Sequence, residues 1–244
     1  MRPEEARTRI AALGFSEQDT ATLFAHFDDA ERRGKRGHGY SRIPWLETLP
    51  DLDRSARGGP TRVTDCYKAW DGRGALGYLT LAAIVEAELA EPPAHARVVV
   101  ASHCFPTGML GHYVRRLADG GLAALLTATS PPRLAHPDGG PSLAGTNPIA
   151  IGIPSSDGRP IVADVSPAKA TWGDVIAGAA PGEDVVPFGG EQAHKAFALA
   201  LGVQLLVDSL VEGYGALLVV ARPEADPVPA LRALAGGVRL PGDR

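Results

Sequence analysis

A histidine and an arginine lie four residues apart in a polar, glycine-rich segment. The segment spans residues 37–44 and contains His38 and Arg42. A histidine titrates near neutral pH, so His38 can protonate a carbonyl or an imine as hydride arrives. The guanidinium group of Arg42 can bind a carboxylate through two parallel hydrogen bonds. The pair therefore predicts a small 2-oxo or 2-imino acid as substrate, and the alternative is an ordinary surface loop.

Four further segments contain residue types suited to contact with a substrate or a cofactor. Thr146 lies at a turn with short hydrogen-bonding side chains, and residues 108–113 follow a predicted buried strand, where free backbone N–H groups suit a phosphate or an amide. Asp164 ends a predicted strand, a position from which acids bind ribose hydroxyls or cap a turn. Lys195 precedes a long apolar segment and either contacts a phosphate or extends from the helix end. Each segment also has an ordinary structural explanation, so none decides the function alone.

Composition limits the classes of function. The chain has 244 residues, which fits one large domain or two small ones, and a formal net charge of −4. That charge, without a cluster of basic residues, argues against nucleic acid as a partner. Cys66 and Cys104 are too few for a disulfide framework, which favours the reducing cytoplasm, and the absence of a long apolar run argues against a membrane partner.

The pattern of apolar and turn residues predicts alternating helices and strands. Helices are expected over residues 3–14, from Ser16 to Gly34, and over 78–90, 106–119 and 193–212, the last of them buried because it is apolar nearly all round. Strand character is expected over residues 62–70, 96–101, 122–129, 145–154, 160–166 and 216–221, and residues 173–190 are expected to be irregular. This alternation predicts a mixed α/β chain. A Rossmann domain is not indicated, because no GxGxxG motif joins a strand to a helix.

These motifs, in their order along the chain, resemble the malate/L-lactate dehydrogenase family, which includes ureidoglycolate and sulfolactate dehydrogenases and piperideine-2-carboxylate reductases. The resemblance covers nearly the whole chain. The matching residues are His38-Gly39 with Arg42 and Pro44, Asp71-Gly72 with Gly74, Gly108 with Gly111 and Tyr113, Gly145-Thr146-Asn147-Pro148, Asp164 with Ser166, Gly189-Gly190 with His194-Lys195, and Leu240-Pro241-Gly242.

The resemblance implies a mixed α/β nicotinamide-binding fold that is specific to this family and distinct from the Rossmann fold. It also implies NADP or NAD as cofactor, a homodimer, His38 as proton donor, Arg42 as carboxylate ligand and Thr146 beside the substrate. The implied cofactor contacts are Gly108, Met109, Leu110, Asp164, Val165, Ser166, Lys195, Pro241 and Gly242, and no metal is expected. We expect residues 1–60 to form a helical part with the substrate loop and residues 61–244 to form the cofactor-binding part, packed as one unit.

Three departures from the family pattern concern the histidine and its surroundings. Gly37 stands where the family has Ser or Thr before the histidine, and Pro106 stands where it has a second histidine. The stretch over residues 173–190 is short, as are the regions on either side of Leu240, and an acidic partner of His38 is expected to be missing with the first deletion. These losses would weaken general acid catalysis, which is typically worth roughly 10²–10⁴-fold.

Two functions follow from the sequence. The first is an NAD(P)H-dependent reductase of a small carboxylate-bearing C=N or C=O compound, with a cyclic imine favoured because an imine is readily protonated. The second is a family member that retains the fold without redox activity and catalyses a non-redox step or serves as a partner subunit.

Overall fold

The computed structural model of the protein describes residues 1–243. In chain order the helices are α1 (Pro3–Ala12), α2 (Glu17–Arg32), α3 (Arg42–Glu47), α4 (Gly77–Ala90), α5 (Leu110–Asp119), α6 (Trp172–Ile176), α7 (Ala193–Asp208) and α8 (Val228–Ala235). The strands are β1 (Gly59–Val63), β2 (Tyr67–Asp71), β3 (Ala96–Ser102), β4 (Ala123–Ala128), β5 (Ile149–Ile153), β6 (Ile161–Val165) and β7 (Ala216–Ala221). No helix in the described part of the chain is both long and apolar enough to cross a membrane.

All seven strands form one sheet in the order β1-β2-β3-β7-β4-β5-β6. Only β2 and β3 run parallel, and the other neighbours are antiparallel. A Rossmann sheet is mostly parallel, so this topology confirms the predicted mixed α/β fold outside the Rossmann class. The main core lies where α4 and α5 pack on one face of the sheet, around Tyr113, Leu117 and Leu126.

A second core joins the N-terminal helices to α4. Ser16 begins α2 as predicted, because its hydroxyl accepts the backbone N–H of Asp19. Apolar side chains of α1, α2 and α3 then pack with Tyr78 at the start of α4. This contact places the segment between α2 and α3, which contains His38, against the sheet-bearing part. The predicted division at residue 60 stays a prediction.

Three elements differ from their predicted form. Residues 62–70 form the ends of two antiparallel strands, β1 and β2, rather than one strand. Helix α5 begins at Leu110 instead of residue 106, because Gly108 has φ +71°, which is incompatible with a helix. Helix α7 packs on the central strands β3 and β7 through Val203 and Val207, but its opposite face is exposed, so the prediction of a fully buried helix is wrong.

Candidate active site

His38 ends a single helical turn, Arg36–His38, between α2 and α3. The backbone N–H of His38 donates to the carbonyl of Lys35 at 2.8 Å, which closes this turn. Tyr40 fixes the segment to α2, because its backbone N–H donates to Glu31 at 3.2 Å and its hydroxyl donates to Asp28 at 2.5 Å. The position of His38 is therefore set by the turn that it closes and by the hydrogen bonds that join Tyr40 to α2.

Arg42 begins α3 and is buried, with only 8% of its surface exposed. Its guanidinium group lies over the ring of Trp45, 5.3 Å from the centroid. The Nε atom is buried without a hydrogen-bond partner, and no acidic side chain of residues 1–243 pairs with it. A buried charge without a partner is costly, so this arrangement indicates that Arg42 receives an anion from outside the chain.

His38 is held in its neutral form. Burial and, secondly, the positive charge of Arg42 lower the pKa of His38 to about 3, while Asp174 acts in the opposite direction. The Nδ1 atom of His38 is buried and has no hydrogen-bond partner. An uncharged imidazole beside an unpaired guanidinium can become a proton donor once the positive charge of Arg42 is neutralised.

The acidic residue near His38 comes from α6. Thr171 caps this short helix by accepting the N–H of Asp174 at 3.2 Å, and the Asp174 carboxylate accepts the N–H of Thr171 at 2.8 Å. A Cβ atom at Gly37 would lie 2.7 Å from the backbone nitrogen of Asp174, so the close approach of α6 requires glycine there. Asp174 therefore lies near His38 without a hydrogen bond to its Nδ1 atom, and Gly37 is the residue that admits this close approach.

A cavity of about 170 Å³, the His38 cavity, opens between α3, α6 and the loop before α5. His38, Arg42 and Thr146 line it together with Arg133 and Trp172. No aspartate or glutamate is among the residues that line it. The His38 cavity is consequently positive, small and closed on one side by aromatic rings, which suits a small organic anion.

Two further cavities extend the His38 cavity into a groove. A cavity of about 100 Å³ shares His38, Gly108 and Thr146 with it and continues to Asp164. From Asp164 and Met109 a larger cavity of about 320 Å³ follows. We call these two together the Asp164 groove. They lie side by side with the His38 cavity, so two molecules that react with one another can occupy neighbouring positions.

The start of α5 forms one wall of the Asp164 groove. The backbone N–H of Met109 donates to Nε2 of buried His26 at 3.0 Å, and the N–H of Gly111 donates to the Asp164 carboxylate at 2.9 Å. Burial raises the pKa of Asp164, and the hydrogen bond from Gly111 opposes this shift. A Cβ atom at Gly108 would collide with the side chains of His26 and Tyr78. Glycine at this position lets the chain pass close to the groove.

The Gly145-Thr146-Asn147-Pro148 turn is anchored to α7 and to Ser166 by hydrogen bonds. The amide of Asn147 is fully buried and donates to Ala200 at 3.0 Å and to Gln204 at 2.9 Å, both on α7. Ser166 donates to the carbonyl of Thr146 at 2.9 Å. The side chain of Thr146 is thereby presented at the junction of the His38 cavity and the Asp164 groove.

Most of the predicted site residues meet along these cavities. His38, Arg42, Thr146 and Gly108 line the His38 cavity, and the Asp164 groove is lined by Met109, Asp164, Val165, Ser166, Pro241 and Gly242. Leu110 is fully buried in the main core instead. Lys195 is exposed at the start of α7 and lines neither cavity. The role of each residue in binding or catalysis stays a prediction.

Sequence reasoning missed Arg133, Trp172, Asp174 and His26. Asp174 lies within residues 173–190, which were expected to be irregular. Arg133 and Trp172 lie outside every predicted helix and strand, where no periodicity marks a residue. Histidine at position 26 lies inside α2 and is enclosed by aromatic rings, among them Tyr78 at 5.0 Å and Tyr113 at 5.2 Å between centroids. His26 shares a helix face with Leu23 and Phe27, and this spacing could have indicated that it is buried.

Comparison with known proteins decides the family. The family model for malate/L-lactate dehydrogenase matches residues 4–185. The chain belongs to the malate/L-lactate dehydrogenase family. A (2R)-3-sulfolactate dehydrogenase (NADP(+)) of Chromohalobacter salexigens is 33% identical over 181 residues, 72% of this chain and 54% of that protein. The family that the sequence motifs indicated is thereby confirmed.

A second relative is known both by sequence and by structure. The Delta(1)-pyrroline-2-carboxylate/Delta(1)-piperideine-2-carboxylate reductase of Pseudomonas syringae pv. tomato is 28% identical over 232 residues, which cover 82% of this chain and 66% of that protein. The crystal structure of delta1-piperideine-2-carboxylate reductase from the same species superposes with a TM-score of 0.84 at 25% identity, covering 99% of this chain and 89% of that one. The fold is therefore that of the family, while the chain spans between about half and two thirds of these two relatives in sequence.

Proposed function

We propose that this member of the malate/L-lactate dehydrogenase family is an NAD(P)H-dependent reductase of a small carboxylate-bearing C=O or C=N compound. The observation that carries the proposal is the buried, unpaired guanidinium of Arg42 beside neutral His38 in a cavity without acidic residues. The two relatives support it, since one is named for a hydroxy acid and the other for cyclic imino acids.

The two side chains divide the work. Arg42 binds the substrate carboxylate, which satisfies its own buried charge. Neutralising that charge removes one of the three causes that lower the pKa of His38, so the imidazole becomes more basic when substrate is bound. His38 then takes up a proton and donates it to the oxygen or nitrogen of the reacting double bond. Asp174 favours the protonated ring through its negative charge.

The Asp164 groove fits a nicotinamide cofactor, which supplies the hydride. Its walls approach closely at glycines, where a Cβ atom at Gly111 would lie 2.9 Å from Asp164 and one at Gly242 would lie 2.9 Å from the nitrogen of Val162. One carboxylate oxygen of Asp164 accepts the Gly111 N–H, and the other has no donor among residues 1–243 and can accept a ribose hydroxyl. These residues position the cofactor beside the His38 cavity.

The far end of the Asp164 groove favours NADPH. There it opens into a cavity of about 860 Å³ that we call the arginine cavity, lined by Arg33, Arg115, Arg159, Arg232 and Arg239 against Asp119 and Asp243. Arg232 is paired with Asp157 and Asp243, whereas the one partner of Arg239 within residues 1–243 is the backbone carbonyl of Asp243. Arg33 and Arg159 are paired with Asp29 and Asp157, so the charge of Arg239 is the one that is complementary to an additional phosphate.

The proposed assembly is a homodimer. The exposed face of α7 presents Leu199, Leu205 and Leu206, and the neighbouring open sheet face presents Leu125, Ile151 and Val219 in register. An apolar surface of this extent is unusual on a monomer and typical of an interface. A second copy of the chain is the occupant that the family resemblance implies.

The first experiment titrates the protein with NADPH and NADH while nicotinamide fluorescence is followed. We expect both to bind, NADPH more tightly, and Arg239→Gln to weaken NADPH binding roughly tenfold while leaving NADH unchanged. Reduction of 2-oxo acids and cyclic imino acids is then assayed with wild type, Arg42→Gln and the control Arg62→Gln, whose arginine stacks on Tyr67 at 5.6 Å outside these cavities. Failure to bind either cofactor at millimolar concentration would contradict the reductase and favour a non-redox function.

A further inference from the structure

Arg133 is a second arginine in the His38 cavity. Arg133 lies on the loop that follows β4, and its guanidinium is 3.8 Å from the ring centroid of Trp172. The backbone of Arg133 is fixed, because its N–H donates to the carbonyl of Ala144 at 2.8 Å and the adjacent Leu134 and Ala144 are fully buried. The side chain is thus held by stacking and by a rigid backbone rather than by an acidic partner.

Arg42 and Arg133 flank the same short piece of chain. Trp172 carries the stack with Arg133, and a Cβ atom at the next residue, Gly173, would lie 2.6 Å from a guanidinium nitrogen of Arg42. The cavity therefore contains two guanidinium groups separated by the first turn of α6. No carboxylate of residues 1–243 forms an ion pair with either of them.

A monocarboxylate could neutralise only one of these two charges. Because the lining residues include no aspartate or glutamate, an anionic group of the ligand is the partner that the cavity leaves for the second charge. Arginine stacked on an aromatic ring keeps its in-plane N–H groups free, and these groups match the geometry of a carboxylate or a sulfonate. The cavity volume of about 170 Å³ limits the ligand to a few heavy atoms between the two acidic groups.

We propose that Arg133 determines specificity by binding a second acidic group, so that the substrate is a small dianionic 2-oxo acid with a carboxylate or a sulfonate at its far end. The proposal rests on the proposed reductase function and narrows it. It moves the expected substrate away from cyclic imines with a single carboxylate, which the sequence had favoured.

Binding without turnover tests the role of Arg133 directly. Isothermal titration with malate and with 2-hydroxybutyrate compares two hydroxy acids of equal chain length, of which only malate carries the second carboxylate. Each titration is run once without cofactor and once with saturating NADPH. A hydroxy acid and NADPH are both reduced, so the bound pair cannot react. We expect malate to bind wild type roughly ten- to hundredfold more tightly than 2-hydroxybutyrate. In Arg133→Gln this ratio should approach one, with 2-hydroxybutyrate affinity unchanged.

Two controls separate specificity from folding. Arg62→Gln removes another stacked arginine, that on Tyr67, and should keep the wild-type ratio. Arg133→Lys keeps the positive charge without the planar fork and should give an intermediate ratio. Equal melting temperatures of the variants exclude a folding defect.

Turnover then distinguishes the two anions and the two proposals. With NADPH, kcat/KM is compared for oxaloacetate, 3-sulfopyruvate and the monoanion 2-oxobutyrate, and whichever dianion exceeds 2-oxobutyrate identifies the second group. Equal affinity of wild type for malate and 2-hydroxybutyrate, or an equal loss of both in Arg133→Gln, would overturn the role of Arg133. Arg133-dependent binding of malate without any reduction would retain this inference and refute the reductase.

Discussion

The positive charge of Arg42 adds to burial in keeping His38 unprotonated. Burial alone keeps an imidazole neutral, and the neighbouring guanidinium adds to this effect, so that the pKa of His38 is about 3. A group with this pKa is uncharged at neutral pH in the free protein. In the proposed reductase, the bound carboxylate, rather than the protein alone, makes the histidine a proton donor, so that proton donation is confined to the complex with substrate.

Replacement of Arg42 by glutamine is expected to raise the pKa of His38. Removing a positive charge stabilises the imidazolium, while burial, the larger cause, still holds the pKa below 6.5. The measurement is the pH titration of the His38 ring by NMR, assigned by the loss of its signal in His38→Gln. Arg62→Gln is the matched control and should leave the titration unchanged. A His38 pKa that is the same in Arg42→Gln as in wild type would contradict the coupling.

At the scale of single residues, the sequence indicated which side chains suit the chemistry but not which residues surround them. His38 and Arg42 were found because their types and spacing suit a carboxylic acid substrate. Asp174, which acts on the pKa of His38, and Arg133, which lines the same cavity, were missed because they approach from segments far away in sequence. Contacts of this kind depend on how α6 and the loop after β4 pack in the folded chain, and this packing cannot be predicted from a local sequence pattern.

Helix α6 is the element on which the cavity depends most. Its first turn carries Trp172 and Gly173 between the two arginines, and its Asp174 lies against Gly37. The helix is only five residues long and is held by the reciprocal Thr171–Asp174 cap. A helix this short has few contacts of its own, so the position of α6 depends on its close packing against Gly37.

Introducing serine at Gly37, the residue type usual in the family, is expected to impair this protein. The added Cβ would lie 2.7 Å from the backbone nitrogen of Asp174, so α6 must shift, at a cost of about 1–3 kcal/mol in the free energy of unfolding. Urea denaturation measures the cost, and malate titration should show weaker binding. Gly182→Ser is the control, because nothing lies within 4 Å of a Cβ there. Full stability and affinity in Gly37→Ser would show that α6 does not depend on this contact.

Elements with a strong local signal were predicted well. The cap at Ser16 and the apolar run of β7 have the predicted positions. The start of α5 was misplaced because proline at position 106 resembles a helix start, whereas the positive φ of Gly108 allows helix only after it. Periodicity predicts whether a segment is a helix or a strand. It does not predict where the element begins when a tertiary contact sets that position.

At the scale of the whole molecule, α7 has more apolar surface than one chain buries. Val203 and Val207 face the sheet, while Leu199, Leu205 and Leu206 remain exposed on the other side. The sequence showed an all-round apolar helix and therefore predicted burial. The burial is completed only if a second copy covers this face, together with the exposed row on β4, β5 and β7. The proposed homodimer accounts for both observations.

Replacing Leu199 and Leu206 together by glutamate is expected to produce a monomer. The two side chains lie seven residues apart on one face of α7 and are 47% and 49% exposed, so the charges should not disturb the fold of the single chain. Burying two unpaired carboxylates in an interface would cost far more than the contact stabilises. Sedimentation equilibrium should give a dimer for wild type and a monomer for the double variant. Leu234→Glu on α8, at a residue 86% exposed and outside this face, should leave the dimer intact. A wild-type monomer, or a double variant that remains dimeric, would exclude the α7 face as the interface.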